Sequence, residues 1–423
     1  MSGAALLERA RALDAGDVLA PLRSRFALPT GEHGQTLTYL CGHSLGLAPL
    51  DARRLIEEEL DDWERLGVEG HHNARRPWIQ YAELLSGGLA QLSGARQGEV
   101  VAMNSLTVNL HLMMASFYRP QGRRIAIVVE AGAFSSDRHA VVSQIRWHGL
   151  DPAQALIEIA PAPGSDLIEP AQVTDLLAQR GQEVALVLWP GVQYRTGQAF
   201  DLGGIAQAAH GAGALCGFDL AHGIGNLPLG LHDEGADFAV WCGYKYLNGG
   251  PGALGGAFVH ERHARAELPG LAGWWGHDPA TRFRMEPGFR PAPGAQGWQV
   301  SNPPILSATP LLASLELFAE AGQARLAAKA QGLTAFLDAG LRERFSRVLQ
   351  IVTPDSARGC QLSLRVRAGR DTGRRAFEHL TRLGVVADWR EPDIIRVAPV
   401  PLYNRYEDLA VLLTALEQAL LAP

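Results

Sequence analysis

From about residue 124 the chain alternates short apolar runs with amphipathic stretches, a pattern that few folds can absorb. RRIAIVVE (123–130), VALVLWP (184–190), GALCGFDL (213–220), DFAVWCGY (237–244) and GALGGAFVH (252–260) are rich in Val, Ile and Ala, and they read as buried strands. PAQVTDLLAQRG (170–181) and LGGIAQAAHGAG (202–213) carry helical spacing between the first three. Strands that alternate with helices predict a mainly parallel α/β sheet. Upstream, DARRLIEEELDDWERL (51–66) and the stretch 77–92 have apolar residues at helical spacing, joined by the polar loop GVEGHHNARRP. Downstream, residues 286–304 hold five prolines and three glycines, which suits an irregular connection. A helical pattern follows from about 308 to 330. The remainder reads strand, strand, helix, strand, strand, helix, a smaller α+β unit. The expected division is an N-terminal segment (1–50), a large α/β domain (51–305) and a small C-terminal α+β domain (306–423).

Composition narrows the class. Of 423 residues, 47% are hydrophobic and 19% charged, which supplies a sizeable core and excludes a disordered chain. The formal net charge of −6 argues against a general nucleic-acid binder. No apolar run approaches the ~20 residues that span a bilayer, and residues 1–20 are charged throughout, unlike a secretory signal. Cys41, Cys216, Cys242 and Cys360 are dispersed and imply neither a disulfide framework nor a zinc site. His71 and His72 are adjacent, poor geometry for two ligands, and His260 and His263 flank charged residues and read as solvated; no metal is expected. These features predict a soluble cytoplasmic protein with no membrane or nucleic-acid partner.

Only two of the 38 basic residues are lysines. Lys329, in the helical stretch LAAKAQGL, reads as a solvated surface charge. Lys245 stands between two tyrosines, after an apolar run and before the glycine-rich GGPGALGG. Chemistry gives a reason to keep lysine there: an amine can lose its proton and attack a carbonyl to form a Schiff base, which a guanidinium effectively cannot. Asp219 ends a predicted strand, where α/β sheets usually bind ligands; alone it reads equally well as a helix cap or salt-bridge partner. An acid and a lysine 26 residues apart, each at a strand end, are what pyridoxal phosphate (PLP) needs, one for the pyridine nitrogen and one for the aldehyde. Ser105, Leu106 and Thr107 open an apolar helix and offer donors to a phosphate, or a plain helix cap. Phe134, just past a strand, could stack on a flat ring or be core. In GLAGWWGH (270–277), two tryptophans between glycines suit a subunit interface or a pocket wall.

Together these segments resemble the kynureninase family, PLP enzymes of the fold type I aminotransferase superfamily. The likeness runs from YLCGHSLGL (39–47) to RVAPVPLYN (396–404). It is most specific in GFDLAHGIGN (217–226), WCGYKYLNGGPG (241–252), GWWGH (273–277) and FRPAPGAQGWQVSNPPIL (289–306). The resemblance implies a fold type I PLP-dependent transferase-like fold. Lys245 would carry PLP as a Schiff base, Asp219 would pair with the pyridine nitrogen, and His222 would sit beside it. Phe134 would stack on the ring, with Ser135, Ser136 and Asp137 continuing that wall. Leu106 and Thr107 would hold the phosphate, and Tyr244 would bind it and move protons. Arg396 would take the substrate α-carboxylate. Ser301, Asn302 and His71 would face the aromatic end of the substrate, and Trp274 and Asn302 would reach the site from the partner of a homodimer. Pro190 stands where family members place Ser or Thr; having neither N–H nor hydroxyl, it is only a lining position.

The implied reaction is hydrolysis of L-kynurenine, or its 3-hydroxy form, to anthranilate or 3-hydroxyanthranilate and L-alanine, in tryptophan catabolism. The resemblance does not rank the two substrates. Two other readings are a cysteine desulfurase or selenocysteine lyase, which needs a catalytic cysteine on a mobile loop, and a non-catalytic PLP-binding regulator. Cys360, the one late cysteine, reads as core, and no DNA-binding segment is appended.

Overall fold

The structure is a computed structural model that describes residues 3–264 and 268–421. In chain order its strands are β1 (Thr38–Tyr39), β2 (Val100–Met103), β3 (Ala126–Glu130), β4 (Leu156–Ile159), β5 (Val184–Pro190), β6 (Leu215–Asp219), β7 (Phe238–Trp241), β8 (Gly255–Val259), β9 (Leu349–Ile351), β10 (Leu362–Val366), β11 (Val385–Val386), β12 (Asp388–Arg390) and β13 (Ile394–Val397). Seven form one sheet in the order β2-β8-β7-β6-β5-β3-β4. β4, β3, β5, β6 and β7 run parallel, and β8 is antiparallel to both β7 and β2. The sheet is therefore the mainly parallel one that the apolar runs predict. Alternate residues face opposite ways, as the pleat requires: Val128, Val187, Phe218 and Ala239 join one apolar cluster, Ile127, Leu186, Leu188 and Val240 another. Two strands of this sheet escape the sequence reading, β2 and β4; both are only four residues long.

The helix expected over 308–330 is two helices, Ile305–Ala321 and Gln323–Phe345, bent by 85°. Gly322 forms the corner at φ +75°, a conformation that side chains with a Cβ resist. The first helix packs on Asp51–Leu66 and Tyr81–Ser93, where the Tyr81 hydroxyl meets Thr309 Oγ1 at 2.8 Å and Glu59 Oε1 at 2.9 Å. Leu311, Leu315 and Phe318 thereby enter the large-domain core, while Leu333, Leu337 and Leu341 of the second helix enter the small-domain core. Leu326, early in the second helix, still packs with the first cluster, so the helix pair spans both apolar cores. No single helix among the described residues is long and apolar enough to cross a membrane.

The small domain holds an antiparallel sheet in the order β12-β13-β10-β9, covered by helices Arg370–Arg382 and Tyr406–Leu420. The N-terminal segment is built into it. Helix Gly3–Ala15 packs on Tyr406–Leu420, burying Leu6 and Ala10, and β1 pairs parallel with β11.

Lys329 corrects the sequence reading. Its ammonium is buried, 2.7 Å from Asp17 of the N-terminal segment. One helix turn of sequence cannot reveal a partner more than 300 residues away. Breaking a buried pair strands the remaining charge. Lys329→Met is expected to lower stability by about 3 kcal/mol, and Asp17→Asn in the same chain to recover part of it; urea denaturation of the single and double variants measures this.

Candidate active site

The parallel strands deliver their carboxyl ends to one cavity of about 730 Å³. β6 brings Asp219, with its Oδ1 accepting from the Ala221 N–H at 2.6 Å. β5 brings Pro190, paired in register with Asp219. β3 brings Glu130, followed by Phe134. The loop after β7 brings Tyr244 and Lys245. Two helices, Leu106–Phe117 and Ser135–Trp147, start at the cavity, and hydroxyls from their first turns, Thr107 Oγ1 and Ser136 Oγ, lie 2.7 Å apart. Leu106, Thr107, Phe134, Ser136, Asp137, Pro190, Asp219, His222, Tyr244 and Lys245 all line the cavity.

Burial sets the protonation states. His222 is buried, and desolvation together with the neighbouring Lys245 holds its imidazole neutral. Its Nε2 lies 3.1 Å from Lys245 Nζ. The amine also stands 5.9 Å from the Phe134 ring centroid and 6.0 Å from that of Tyr244. Desolvation, then Asp219, pushes the Asp137 carboxyl well up. Burial lifts Glu130 to about 8 and the Tyr244 phenol to about 12, so both keep their protons at neutral pH. Glu130 Oε1 accepts from Gln193 Nε2 at 3.3 Å. Glu130, Trp189 and Tyr194 line the cavity but were not identified from the sequence. Glu130 ends a strand just as Asp219 does, and that shared position is the signal that could have found it.

The other expected residues lie elsewhere. Ser135 is exposed at the helix start. Arg396 is fully buried and held by Asp388. His71, Ser301 and Asn302 are exposed, with His71 edge-on to Trp78 at 5.5 Å. Trp274 is exposed, its Nε1 donating to the Arg282 carbonyl at 3.0 Å. These last four are not gathered into the cavity of their own chain.

The histidines expected to be solvated are not. His263 Nε2 and His210 Nε2 each lie 2.8 Å from Asp237, and His260 stacks on His232 at 4.6 Å. Glu99, His232 and His260 are the one set of three metal-ligand types gathered among the described residues. Internal hydrogen bonds occupy their facing atoms: Glu99 Oε1 lies 2.8 Å from His232 Nδ1 and accepts from the Glu261 N–H, while His260 Nδ1 accepts from the Arg262 N–H.

The cavity fits PLP. Lysine is there for the aldehyde, carboxyls for the pyridine nitrogen, an aromatic ring for the cofactor face, and two helix starts with hydroxyls for the phosphate. Three buried polar atoms that line it, Glu130 Oε2, Asp137 Oδ1 and His222 Nδ1, have no hydrogen-bond partner in the chain. Comparison agrees at the level of fold. The structure of the cystine C–S lyase C-DES with its product cysteine persulfide superposes with a TM-score of 0.76 at 19% identity, covering 90% of this chain and 97% of that one. The cysteine desulfurase CsdA from Escherichia coli gives 0.76 at 17%, covering 95% and 98%. The aminotransferase class-V family model matches residues 47–368. Fold and site define a PLP-dependent enzyme of the fold type I class.

The particular family follows from closer relatives. The kynureninase C-terminal domain model matches residues 326–416. Kynureninase from Xanthomonas oryzae pv. oryzae (strain PXO99A) is 59% identical over 409 residues, 96% of each chain. Kynureninase from Xanthomonas campestris pv. campestris (strain B100) is 58% identical over 411 residues, again 96% of each. The chain belongs to the kynureninase family.

Because Glu130 titrates near 8 when folded and near 4.5 when exposed, the unfolded chain releases this proton first as pH rises. Its contribution therefore destabilises the fold progressively from about pH 4.5 to 8. Glu130→Gln is expected to raise the melting temperature of the cofactor-free protein more at pH 8 than at pH 5, as calorimetry at both pH values measures.

Proposed function

We propose that this protein hydrolyses L-kynurenine at its Cβ–Cγ bond, giving anthranilate and L-alanine. The observation that carries the reading is the cavity that joins Lys245, Asp219 and Tyr244 in a chain of the kynureninase family. Bound PLP supplies an electron sink for bond cleavage at the substrate α- and β-carbons.

The chain's residues do the rest. Lys245 would hold the cofactor through its amine, and the same amine, when free, would take the substrate α-proton. Neutral His222, at hydrogen-bond distance, accepts a hydrogen bond from the lysine ammonium and steadies it. Asp219 would pair with the pyridine nitrogen, and Asp137 beside it, pushed toward its protonated form, limits the negative charge there. Thr107 and Ser136 with the two helix starts would hold the phosphate, and Leu106 and Phe134 would bound the ring. Tyr244 keeps its proton at neutral pH and donates it to the reacting carbon or carbonyl. Water adds to the γ-carbonyl, the Cβ–Cγ bond breaks, anthranilate leaves with the new carboxylate, and protons complete alanine. Arg396 binds the α-carboxylate of the substrate. The desulfurase reading lacks its nucleophile: Cys360 is buried, and burial lifts its thiol to about 12.

A homodimer accounts for the residues left outside the cavity. Trp274 and Asn302, with Ser301 and His71, would complete the partner's site at the substrate's aromatic end. Leu271, Phe283, Met285 and Phe289 expose apolar surface on the same segment as Trp274, which suits burial between subunits.

Three tests follow. Purified protein with PLP and L-kynurenine should release fluorescent anthranilate; a protein that leaves kynurenine intact would be assigned another substrate, with 3-hydroxykynurenine assayed next. Lys245→Ala should lose turnover and the visible absorbance of lysine-bound cofactor, whereas Asp219→Ala should bind cofactor but lose at least about a hundredfold in kcat. Mixing inactive Lys245→Ala and Asn302→Ala subunits should restore about 25% of wild-type activity, because half the random dimers hold one intact site. No recovery after mixing would place Asn302 in its own subunit's site.

A further inference from the structure

Asp388 and His43 lie outside the cavity, and neither has a part in the reading above. We propose that they are positioning residues that set the Arg396 guanidinium for the substrate carboxylate. This deepens the reading above, because it rests on Arg396 as the carboxylate-binding residue.

The geometry starts in the small sheet. β12 and β13 are antiparallel, with Asp388 directly opposite Arg396. Arg396 is completely buried. Its Nε donates to Asp388 Oδ2 at 2.7 Å, its Nη2 donates to the same oxygen, and its Nη1 donates to the Tyr194 carbonyl at 2.6 Å. A guanidinium has five N–H groups. Three are thus engaged, and one remains on each terminal nitrogen, the pair that a second carboxylate takes with its two oxygens. Tyr194 itself lines the cavity, so the fixed group stands just behind the cavity wall. Without Asp388 the buried guanidinium would keep one anchor, the Tyr194 carbonyl, and lose the second point that fixes the direction of its two spare donors.

His43 backs Asp388. The segment carrying it is laid along the small domain by the β1–β11 pairing and by the Cys41–Ala398 bridge. It then crosses to the catalytic lysine: the Gly46 N–H donates to the Tyr244 carbonyl at 2.8 Å, and a Cβ on Gly46 would sit 2.4 Å from the Lys245 carbonyl oxygen. Only glycine permits that approach. Between these anchors His43 is fully buried, with Nε2 3.6 Å from Asp388 Oδ2 and its ring 6.4 Å from that of His222. Neither ring nitrogen has a hydrogen-bond partner. Desolvation, with Arg396 beside it, holds the imidazole neutral, its pKa down at about 3. A neutral ring can turn an N–H dipole toward the nearby carboxylate even where 3.6 Å is too long for a hydrogen bond. Burial works against the Asp388 charge, yet His43, Arg396 and Arg390, whose Nε donates to Oδ2 at 2.9 Å, keep it ionised well below the usual range.

The test uses the PLP-loaded enzyme and ligands that differ only in the carboxylate. Binding of L-alanine and of L-alaninamide is read from the visible spectrum of the cofactor, and KM and kcat from anthranilate release. Asp388→Asn is expected to weaken L-alanine binding and raise KM about tenfold, with alaninamide binding and kcat changed less than about threefold. Asp388→Glu, which keeps the charge, should recover part of the loss, and His43→Phe should show a smaller version of it. Unaltered L-alanine binding in Asp388→Asn, or equal weakening of alanine and alaninamide, would overturn the proposal. The comparison does not depend on the substrate assignment: a protein that releases no anthranilate but shows the alanine-selective loss keeps this inference and loses the kynurenine reading. If Arg396→Lys binds L-alanine as tightly as wild type, the carboxylate assignment falls and the positioning pair with it.

Discussion

Charge confined in a small space is the constraint on which the site depends. Glu130, Asp137 and Asp219 share a cavity with one amine, and three buried carboxyls cannot all ionise beside a single ammonium. Burial and mutual repulsion keep protons on Glu130 and Asp137. The same desolvation leaves His222 neutral beside Lys245, so the lysine ammonium has an acceptor and no adjacent competing cation. The sheet imposes this arrangement. Glu130 and Asp219 are each the last residue of their strand, and the strands are parallel, so their carboxyl ends share one rim.

Much of this was legible in the sequence, for reasons that differ by residue. Strands buried on both faces must be apolar along their whole length, so β3, β5, β6, β7 and β8 announced themselves. Lys245 stood out because lysine is nearly absent from the chain. Asp219, Phe134 and Thr107 follow from where strands end and helices begin, Ser136 and Asp137 from the family resemblance, and the structure gathers all five with Lys245. Pro190 also lines the cavity, where it offers a ligand neither an N–H nor a hydroxyl.

What the sequence concealed is long-range and polar. Lys329 reads as solvated until Asp17 is placed against it. His260 and His263 look like surface residues until Asp237, Glu99 and His232 arrive from other elements. Arg396 is recognisable in RVAPVPLYN, but its partner Asp388 is set by strand register, which no local pattern encodes. The break at Gly322 hides inside a helical periodicity that continues on both sides, since a corner between two helices costs no apolar residue.

The interleaving of the chain's two ends has a consequence for modularity. The segment shared with the kynureninase C-terminal domain covers residues 326–416, yet the folded unit that contains it also needs the first helix, with Leu6 and Ala10, and the strand β1 alongside β11. The unit of inheritance and the unit of folding therefore differ. Cut out at its sequence boundaries, the C-terminal piece would bare the face of its last helix and lose a strand partner. Helix Gly3–Ala15 and β1 find their partners only in elements far later in the chain, so this unit cannot close from either segment alone.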